Sequence, residues 1–251
     1  MSSVVKVRNV MFGEGIPKIC IPLTDESPEE LKESVEKLLR APFDFVEWRA
    51  DFYKDLTKTE MLVSALELLR SCLCEVPVLF TVRTSDEGGH LVISTKEYID
   101  IYLSAFKTGL IDLADVELSR GEDVLSLLTE AAHEAGVRIV ASCHDSVSTP
   151  SKETIVERLC RMQELGADLA KYAVTPQSDR DVLTLMDATL TMQEDHGKTP
   201  VITMSMGRLG AISRVSGSVF GSSVTFGTAG RASAPGQLPA ELLDAFLHNM
   251  I

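Results

Sequence analysis

VRIVASCHDSVSTPSKETIVERLCRMQELGADLAKYAV, residues 137–174, is the segment that decides the fold class. It begins with an apolar run (137–144), continues with an amphipathic stretch that ends at Gly166, and closes with a second apolar run (167–174). The two runs predict buried strands, and the stretch between them predicts a helix with a glycine stop. Because a helix that connects two strands of one sheet makes them parallel, the segment predicts a β–α–β unit.

The same alternation extends through the chain. Six more apolar runs are separated by further helical patterns; they are PKICIPL, FDFVEWR, PVLFTVR, LIDLADVEL, PVITMSM and SSVTFG, which begin near 17, 43, 77, 110, 200 and 222. Eight β–α units in about 235 residues have the usual size of a (β/α)8 TIM barrel. We therefore predict an α/β fold with a single barrel domain over residues 1–251, in which the first sixteen residues form a hairpin that closes the barrel bottom.

Local signals support individual helices and leave one alternative fold. Ser27 and Pro28 predict a helix start, and Thr57 with Glu60 has the spacing of a capping box. The seventh helix, within 207–221, is rich in glycine and is predicted to be short. An open doubly wound sheet is the alternative architecture, but no G-x-G-x-x-G turn follows the first predicted strand.

Composition narrows the class of protein. The chain has 24 Lys and Arg against 37 Asp and Glu, a net charge of −13, so we expect neither nucleic acid nor an anionic membrane as a partner. No apolar run reaches the ~20 residues that span a bilayer, and the first residues lack a secretion signal, so we expect a cytoplasmic protein. The five cysteines form no C-x-x-C pair and the histidines have no metal-binding spacing, so we expect no metal.

Charged side chains occur inside the predicted strands, which a barrel should keep apolar. Active sites of this fold lie at the carboxyl ends of the strands, and these residues lie at such ends: Glu47, Arg49, Arg83, Glu117, His144 and Lys171. Residues two apart share a strand face, so Glu47 and Arg49 point the same way. The opposite orientation would bury charges beneath the helices, so we predict that all of them converge in the barrel mouth.

Lys171 and His144 are the strongest candidates for chemistry. Burial favours an uncharged amine, which is the nucleophilic form of Lys171; the alternative is a lysine that is paired with a carboxylate such as Glu47 or Glu117. His144 on the preceding strand can carry a proton, although a purely structural histidine is an alternative. Cys143 faces the other side of its strand, so a Cys–His nucleophile pair is not expected.

The loops add weaker candidates. In SDEGGH, residues 85–90, Glu87 is placed to orient His144, and a solvated surface turn is an equal alternative. Arg214 follows the seventh strand, a common anion site in barrels. The run GTAGRASAPGQLP, residues 227–239, suits a lid or else a long surface loop, and its Ser233 and Gln237 carry no signal of their own.

Eight motifs together resemble the type I 3-dehydroquinate dehydratases of the shikimate pathway, which leads to chorismate and the aromatic amino acids. In order, they are EWR at 47–49, FTVR at 80–83, EGG at 87–89, HD at 144–145, KYA at 171–173, TMSMG at 203–207, ISR at 212–214 and SAPGQ at 233–237. The resemblance covers nearly the whole chain. It implies a (β/α)8 barrel that forms a homodimer and needs no metal or organic cofactor.

The resemblance also implies a reaction and a role for each residue. Lys171 would form an imine with the C3 ketone of 3-dehydroquinate, and His144 would move a proton from C2 to the leaving C1 hydroxyl in a syn elimination, giving 3-dehydroshikimate and water. The other implied roles are the carboxylate partner of His144 (Glu87), the contact of the substrate carboxylate (Arg214), contacts of the ring hydroxyls (Glu47, Arg49, Arg83) and the closing loop (Ser233, Gln237).

Two positions depart from the family pattern, and two other functions stay open. Pro22 stands where relatives often have serine, which puts a substrate contact in doubt, and Cys143 replaces an asparagine seen in some relatives. A class I aldolase or transaldolase also uses a strand lysine. A non-catalytic binding protein is the third interpretation.

Overall fold

A computed structural model describes residues 4–230 and 232–249. Residues 1–3 of the predicted hairpin, Arg231 of the predicted lid and the last two residues lie outside the described residues.

Eight parallel strands form the barrel, as predicted. They are β3 (Lys18–Leu23), β4 (Phe45–Arg49), β5 (Val78–Thr81), β6 (Leu113–Glu117), β7 (Arg138–Asp145), β8 (Leu169–Val174), β9 (Val201–Ser205) and β10 (Val224–Thr228). Each strand pairs in parallel with the next one in the chain from β3 to β9, and β10 pairs with β3. A parallel bridge between Val201 and Ser222 joins β9 to the start of β10, which closes the circle.

Helices cover the outside of the barrel. They are α1 (Pro28–Leu38), α2 (Thr59–Leu73), α3 (Thr95–Thr108), α4 (Glu122–Glu134), α5 (Lys152–Glu164), α6 (Asp179–Asp195), α7 (Gly217–Phe220) and α8 (Ala240–Asn249). The predicted start of α1 is confirmed, because the Ser27 side chain accepts a hydrogen bond from the Glu30 amide. The single turn of α7 confirms that the seventh helix is short.

The capping box predicted at Thr57 and Glu60 is wrong. The helix begins at Thr59 with Lys58 at the N-cap position, and no side chain caps it. Asp55 adopts a φ of 61°, and its carbonyl accepts a hydrogen bond from the Lys58 amide. This turn runs through Thr57 and keeps it outside the helix.

A hairpin fills the amino-terminal end of the barrel, as predicted. Strands β1 (Val5–Val7) and β2 (Val10–Phe12) are antiparallel. Their side chains join an apolar cluster inside the barrel that contains Cys20, Phe45, Leu79, Leu113, Val140, Leu169, Ile202 and Val224. Phe12 is fully buried there and meets the Phe45 ring edge-on, with 5.1 Å between ring centroids.

A short extra strand was not predicted. Residues Leu238–Pro239 (β11) pair in parallel with Gly227 and Thr228 at the end of β10. The segment 227–239 is therefore anchored at its far end, directly before α8. Among the described residues, no helix has both the length and the apolar character needed to cross a membrane.

Candidate active site

One pocket at the carboxyl ends of the strands collects the residues that the sequence singled out for catalysis or binding, except Glu117, which does not line it. Its volume is about 300 Å³, and its lining includes Glu47, Arg49, Arg83, Glu87, His144, Lys171, Arg214, Ser233 and Gln237. Such a volume suits a small-molecule ligand. Apolar side chains, among them Ala173, Met204, Met206 and Phe226, complete the wall.

Strand alternation produces this convergence. Lys171 lies between Leu169 and Ala173 on the inward face of β8, and both of those residues belong to the cluster inside the barrel. Cys143 points the other way, as predicted, and its sulfur lies 3.6 Å from Nη1 of Arg158 beneath the helix layer. A Cys–His pair is therefore excluded by the fold.

The Lys171 amine is buried, with 3% of the residue exposed. Its Nζ donates to Oδ2 of Asp115 at 2.9 Å and lies 3.6 Å from Oε1 of Glu47. It also lies 4.6 Å from the centroid of the Phe226 ring. Lys171 is thus an enclosed amine in the pocket wall and is paired with a carboxylate, so the two alternatives drawn from the sequence are not exclusive.

Asp115 is a site residue that the sequence analysis missed. It is fully buried on the inward face of β6 and accepts hydrogen bonds from Nη2 of Arg83 at 2.7 Å and Oγ of Ser142 at 2.5 Å. Burial alone would raise the pKa of Asp115, but the charges of Arg83 and Lys171 outweigh it and hold this pKa well below its usual range. The signal was present, because Asp115 lies two residues before Glu117 and must share its face.

Arg83 is the positive centre of the site. Besides Asp115, its Nη1 bonds Oε1 of Glu117 at 3.0 Å and Oε2 of Glu87 at 3.3 Å. Burial lowers the pKa of Arg83, but these carboxylates outweigh burial and raise the pKa well above its usual value. Glu117 also accepts from the amide and the hydroxyl of Thr84, so it braces Arg83 instead of pairing with Lys171.

His144 and Glu87 form a hydrogen-bonded pair. Nδ1 of His144 lies 2.8 Å from Oε2 of Glu87, and the other oxygen of Glu87 accepts from Oγ of Ser119 at 2.6 Å. Burial, followed by the charges of Arg83 and Lys171, lowers the pKa of His144 well below its usual value, so the imidazole is neutral at neutral pH. With the hydrogen of Nδ1 donated to Glu87, Nε2 keeps a free lone pair.

Glu47 and Arg49 occupy the β4 side of the pocket. Glu47 accepts a hydrogen bond from Oγ1 of Thr81 at 2.9 Å. Arg49 donates from Nε and Nη2 to the two oxygens of Asp51, at 2.8 and 2.9 Å. Asp51 follows the predicted strand in a turn, where acidic residues are usually solvated, so the sequence carried no signal for this partner.

Arg214 is a buried cation that pairs with no carboxylate among the described residues. It is 3% exposed, and Nη2 donates to the Pro235 carbonyl at 3.1 Å. Its Nε has no partner among residues 4–230 and 232–249, and burial lowers the pKa of Arg214 to about 10. The guanidinium still carries its charge at neutral pH, so it offers an open position for an anion.

Ser233 and Gln237 lie in a loop that folds over the pocket. The Ser233 amide donates to Oε1 of Gln237 at 2.8 Å, and Nε2 of Gln237 donates to Oγ of Ser233 at 2.9 Å. The Gly207 amide donates to the Pro235 carbonyl at 3.1 Å, which ties the loop to the end of β9.

Pro22 lies beside the site but not in it. On β3 it is in register with Glu47, yet it lines a separate groove with Asp25 and Lys37. The pocket around Lys171 does not include it.

Comparisons with known proteins agree with this geometry. The family model described as type I 3-dehydroquinase matches residues 19–251. A 3-dehydroquinate dehydratase of Syntrophotalea carbinolica is 50% identical over 94% of this chain and 93% of its own length. One from Listeria welshimeri is 51% identical over 93% of this chain and 92% of its own length.

A solved structure agrees as well. The type I 3-dehydroquinate dehydratase from Clostridium difficile, with covalently modified comenic acid, is 43% identical and superposes with a TM-score of 0.97 over 100% of this chain and 98% of its own. The family model and these relatives cover nearly the whole barrel, pocket included. This chain therefore belongs to the type I 3-dehydroquinase family.

Proposed function

We propose that this chain is a hydro-lyase that converts 3-dehydroquinate to 3-dehydroshikimate and water, with Lys171 as the nucleophile and His144 as the proton carrier. One observation carries the proposal. The buried amine of Lys171 and the neutral imidazole of His144 line the same small pocket, and Glu87 holds the imidazole in place. Membership of the family supplies the substrate and its place in the shikimate pathway.

The proposed steps use only residues of this chain and water. Lys171, which Asp115 holds through its Nζ, first gives one proton to His144, and the freed amine adds to the C3 ketone. His144 returns that proton, so the C3 oxygen leaves as water and a protonated imine remains. The imine withdraws electrons from C2, so Nε2 of His144 removes the C2 proton and the electron pair enters an enamine. The enamine expels the C1 hydroxyl, which takes the proton back from His144 and leaves as water. A second water then hydrolyses the imine, which releases the enone and restores the amine.

A single proton carrier accounts for the stereochemistry that we propose. His144 removes the C2 proton and returns a proton to the C1 hydroxyl, so both groups leave from the side of the ring that faces the imidazole, in a syn elimination. The hydrogen bond to Glu87 fixes the ring so that Nε2 is the nitrogen that reacts.

The remaining pocket residues are proposed to bind the substrate. The guanidinium of Arg214, whose Nε has no partner among the described residues, suits the substrate carboxylate, because its planar fork can engage both oxygens. Glu47, Arg49 and Arg83 are proposed to contact the ring hydroxyls. Ser233 and Gln237 are proposed to close the loop over the bound substrate, since the loop already contacts Arg214 through Pro235.

We also propose that the protein is a cytoplasmic homodimer. The support is the family resemblance, in which a dimer is usual. Sedimentation equilibrium at micromolar concentration tests the assembly, and a single species with the mass of one chain, 27.4 kDa, would contradict it.

Trapping with borohydride tests the nucleophile. Reduction in the presence of 3-dehydroquinate should fix the imine as a secondary amine, and peptide mass mapping should place the adduct on Lys171. Lys171→Ala should lose both the adduct and the rise in ultraviolet absorbance of the enone product. Lys152→Ala is the control, because Lys152 pairs with Asp187 on the surface. An adduct that persists in Lys171→Ala disproves the assignment.

Replacing the imidazole separates binding from proton transfer. His144→Ala should still form some trapped imine, while turnover falls by about 10²–10⁴-fold, the usual contribution of a positioned acid–base group. The comparison is adduct mass against the rate of enone formation. Turnover at the level of the unmodified enzyme would rule out His144 as the proton carrier.

A further inference from the structure

Asp51 bonds two residues that line the pocket, Arg49 and Arg83, but does not line the pocket itself. It lies in the turn Ala50–Phe52, directly after β4, and its side chain is completely enclosed, with 0% exposure. A buried carboxylate is costly unless it is fully paired, so its partners indicate what it holds in place.

Four hydrogen bonds satisfy this carboxylate. Oδ1 accepts from Nε of Arg49 at 2.8 Å and from the backbone amide of Arg83 at 3.3 Å. Oδ2 accepts from Nη2 of Arg49 at 2.9 Å and from the backbone amide of His90 at 3.2 Å. Both oxygens thus bind Arg49, and each of them also binds one backbone amide.

The two amides belong to opposite ends of the segment that carries Glu87. Arg83 precedes this segment and His90 ends it, so one carboxylate draws the two ends together. The segment is tight inside as well, because a Cβ at Gly89 would lie 2.0 Å from the Arg83 carbonyl oxygen. Glu87 is therefore presented to His144 by a loop whose base is closed on Asp51.

A second contact fixes Arg49 from its other side. Its guanidinium carbon lies 5.1 Å from the centroid of the Phe52 ring, and that ring packs against His90 with 4.1 Å between centroids. Arg49 is held between a carboxylate and an aromatic face, which leaves its side chain little freedom. The same two elements, the turn after β4 and the 83–90 loop, enclose it.

We infer that Asp51 is a positioning residue that couples substrate binding through Arg49 to proton transfer through Glu87 and His144. The inference rests on the proposed function, which gives Arg49 and His144 their roles. A carboxylate is required because all four partners are donors. The amide of asparagine would direct its own N–H groups at the N–H groups of Arg49 or His90.

Asp51→Asn tests this coupling, and Asp112→Asn is its matched control. Asp112 is largely enclosed, with 11% of its side chain exposed, and lies at the opposite end of the barrel. It accepts from Nε of Arg8 at 2.6 Å, Nη2 of Arg70 at 2.7 Å and the amide of Val78 at 2.8 Å. The Asp112→Asn variant tests whether losing another largely buried carboxylate with arginine partners has the same effect as losing Asp51.

Steady-state kinetics at a temperature where each variant is folded give the main result. Asp51→Asn should raise KM and lower kcat, each by about tenfold or more, because one change weakens both binding and proton transfer. The acid limb of its kcat–pH profile should also move. Asp112→Asn should keep KM and kcat within about twofold of the unmodified enzyme. A change in KM alone, no change in either constant, or equal losses in Asp112→Asn would overturn the inference.

Hydrogen exchange provides a readout without substrate. The amides of residues 84–90 should exchange faster in Asp51→Asn and at the unmodified rate in Asp112→Asn. Unchanged exchange in Asp51→Asn would overturn the positioning role. If the unmodified protein does not turn over 3-dehydroquinate, the proposed function fails, while the exchange comparison still decides what Asp51 holds. Should Asp51→Asn not fold, Asp51→Glu, which keeps the charge but displaces the oxygens, takes its place in both measurements with the same outcomes.

Discussion

Arg214 shows at the scale of one residue how a binding site can cost stability. Among the described residues, the buried guanidinium has no carboxylate partner and its Nε has no hydrogen-bond partner. A buried charge that lacks a partner destabilises the folded state. An anion that pairs with Arg214 should therefore stabilise the protein. In the protein without a ligand, removing the charge of Arg214 should also be stabilising.

Arg214→Met should separate these two effects. We expect the free energy of unfolding without substrate to rise by about 1 kcal/mol, because an unsatisfied buried charge is replaced by an apolar side chain. KM should rise by about 30-fold or more, which corresponds to roughly 2 kcal/mol for a charge pair lost from a buried site. Urea denaturation and steady-state kinetics provide the two numbers. Arg208→Met, at an exposed position nearby, should change neither, and a loss of stability in Arg214→Met would contradict the argument.

Ser119 offers a prediction about pH. Burial raises the pKa of Glu87, and the hydrogen bond from Ser119 acts in the opposite direction. Without that bond the pKa of Glu87 should rise further. Glu87 should then become protonated, and stop orienting His144, at a higher pH than in the unmodified enzyme. Ser119→Ala should then shift the acid limb of kcat upward by about half a pH unit or more.

The kcat–pH profile from about pH 4 to 9 measures this shift. Ser104→Ala is the control, because the Ser104 hydroxyl donates to the Asp100 carbonyl within α3, far from the pocket. A shift toward lower pH in Ser119→Ala would mean that the hydrogen bond does not stabilise the ionised form of Glu87.

At the scale of elements, the two-residue period of the strands predicted which side chains face the barrel interior. Alternation placed Glu47, His144 and Lys171 inward and Cys143 outward, because a strand has only two faces and one of them is covered by helices. The same rule identifies Asp115 from Glu117. Within the strands, the side chains that line the site could therefore be predicted from the sequence.

The turns could not be predicted in the same way. Asp51 and Ser119 lie in single 3-10 turns after β4 and β6, where no period fixes the direction of a side chain. Their partners are far away in the chain and come together only when the barrel closes. The loop over the pocket has the same property, since the docking of Pro235 on Gly207 depends on the end of β9.

Gly236 tests whether this docked loop matters for binding. Its φ is 77°, and a Cβ there would lie 2.3 Å from the Gly207 carbonyl oxygen. Gly236→Ala should push the loop off the pocket, so KM should rise by about tenfold with a smaller change in kcat. Gly230→Ala in the same segment is the matched control, because no atom lies within 4 Å of the added Cβ. Equal KM values for the two variants would show that the docked position does not contribute to binding.

At the scale of the whole molecule, a polar pocket lies at one end of the barrel and an apolar cluster closed by the hairpin lies at the other. The pocket lies at the carboxyl ends of the strands, where carboxylates, arginines and Lys171 are packed together at the expense of an apolar core. The opposite end is apolar and is closed by the hairpin, with Phe12 fully buried against Phe45. Inward side chains such as Phe45 and Leu169 separate the two regions, which is the division that this fold generally shows.

Phe12→Ala should therefore reduce stability and leave activity intact. Removing a fully buried ring should lower the free energy of unfolding by about 3–5 kcal/mol, because the barrel interior cannot collapse onto the space that it leaves. Met11→Ala, on the half-buried face of the same strand, should cost much less. Urea denaturation measures both losses, and kinetics at a temperature where each variant is folded should give unchanged KM and kcat. A raised KM in Phe12→Ala would show that packing at the closed end is transmitted through Phe45 to Glu47, and the proposed division between the two ends would then be wrong.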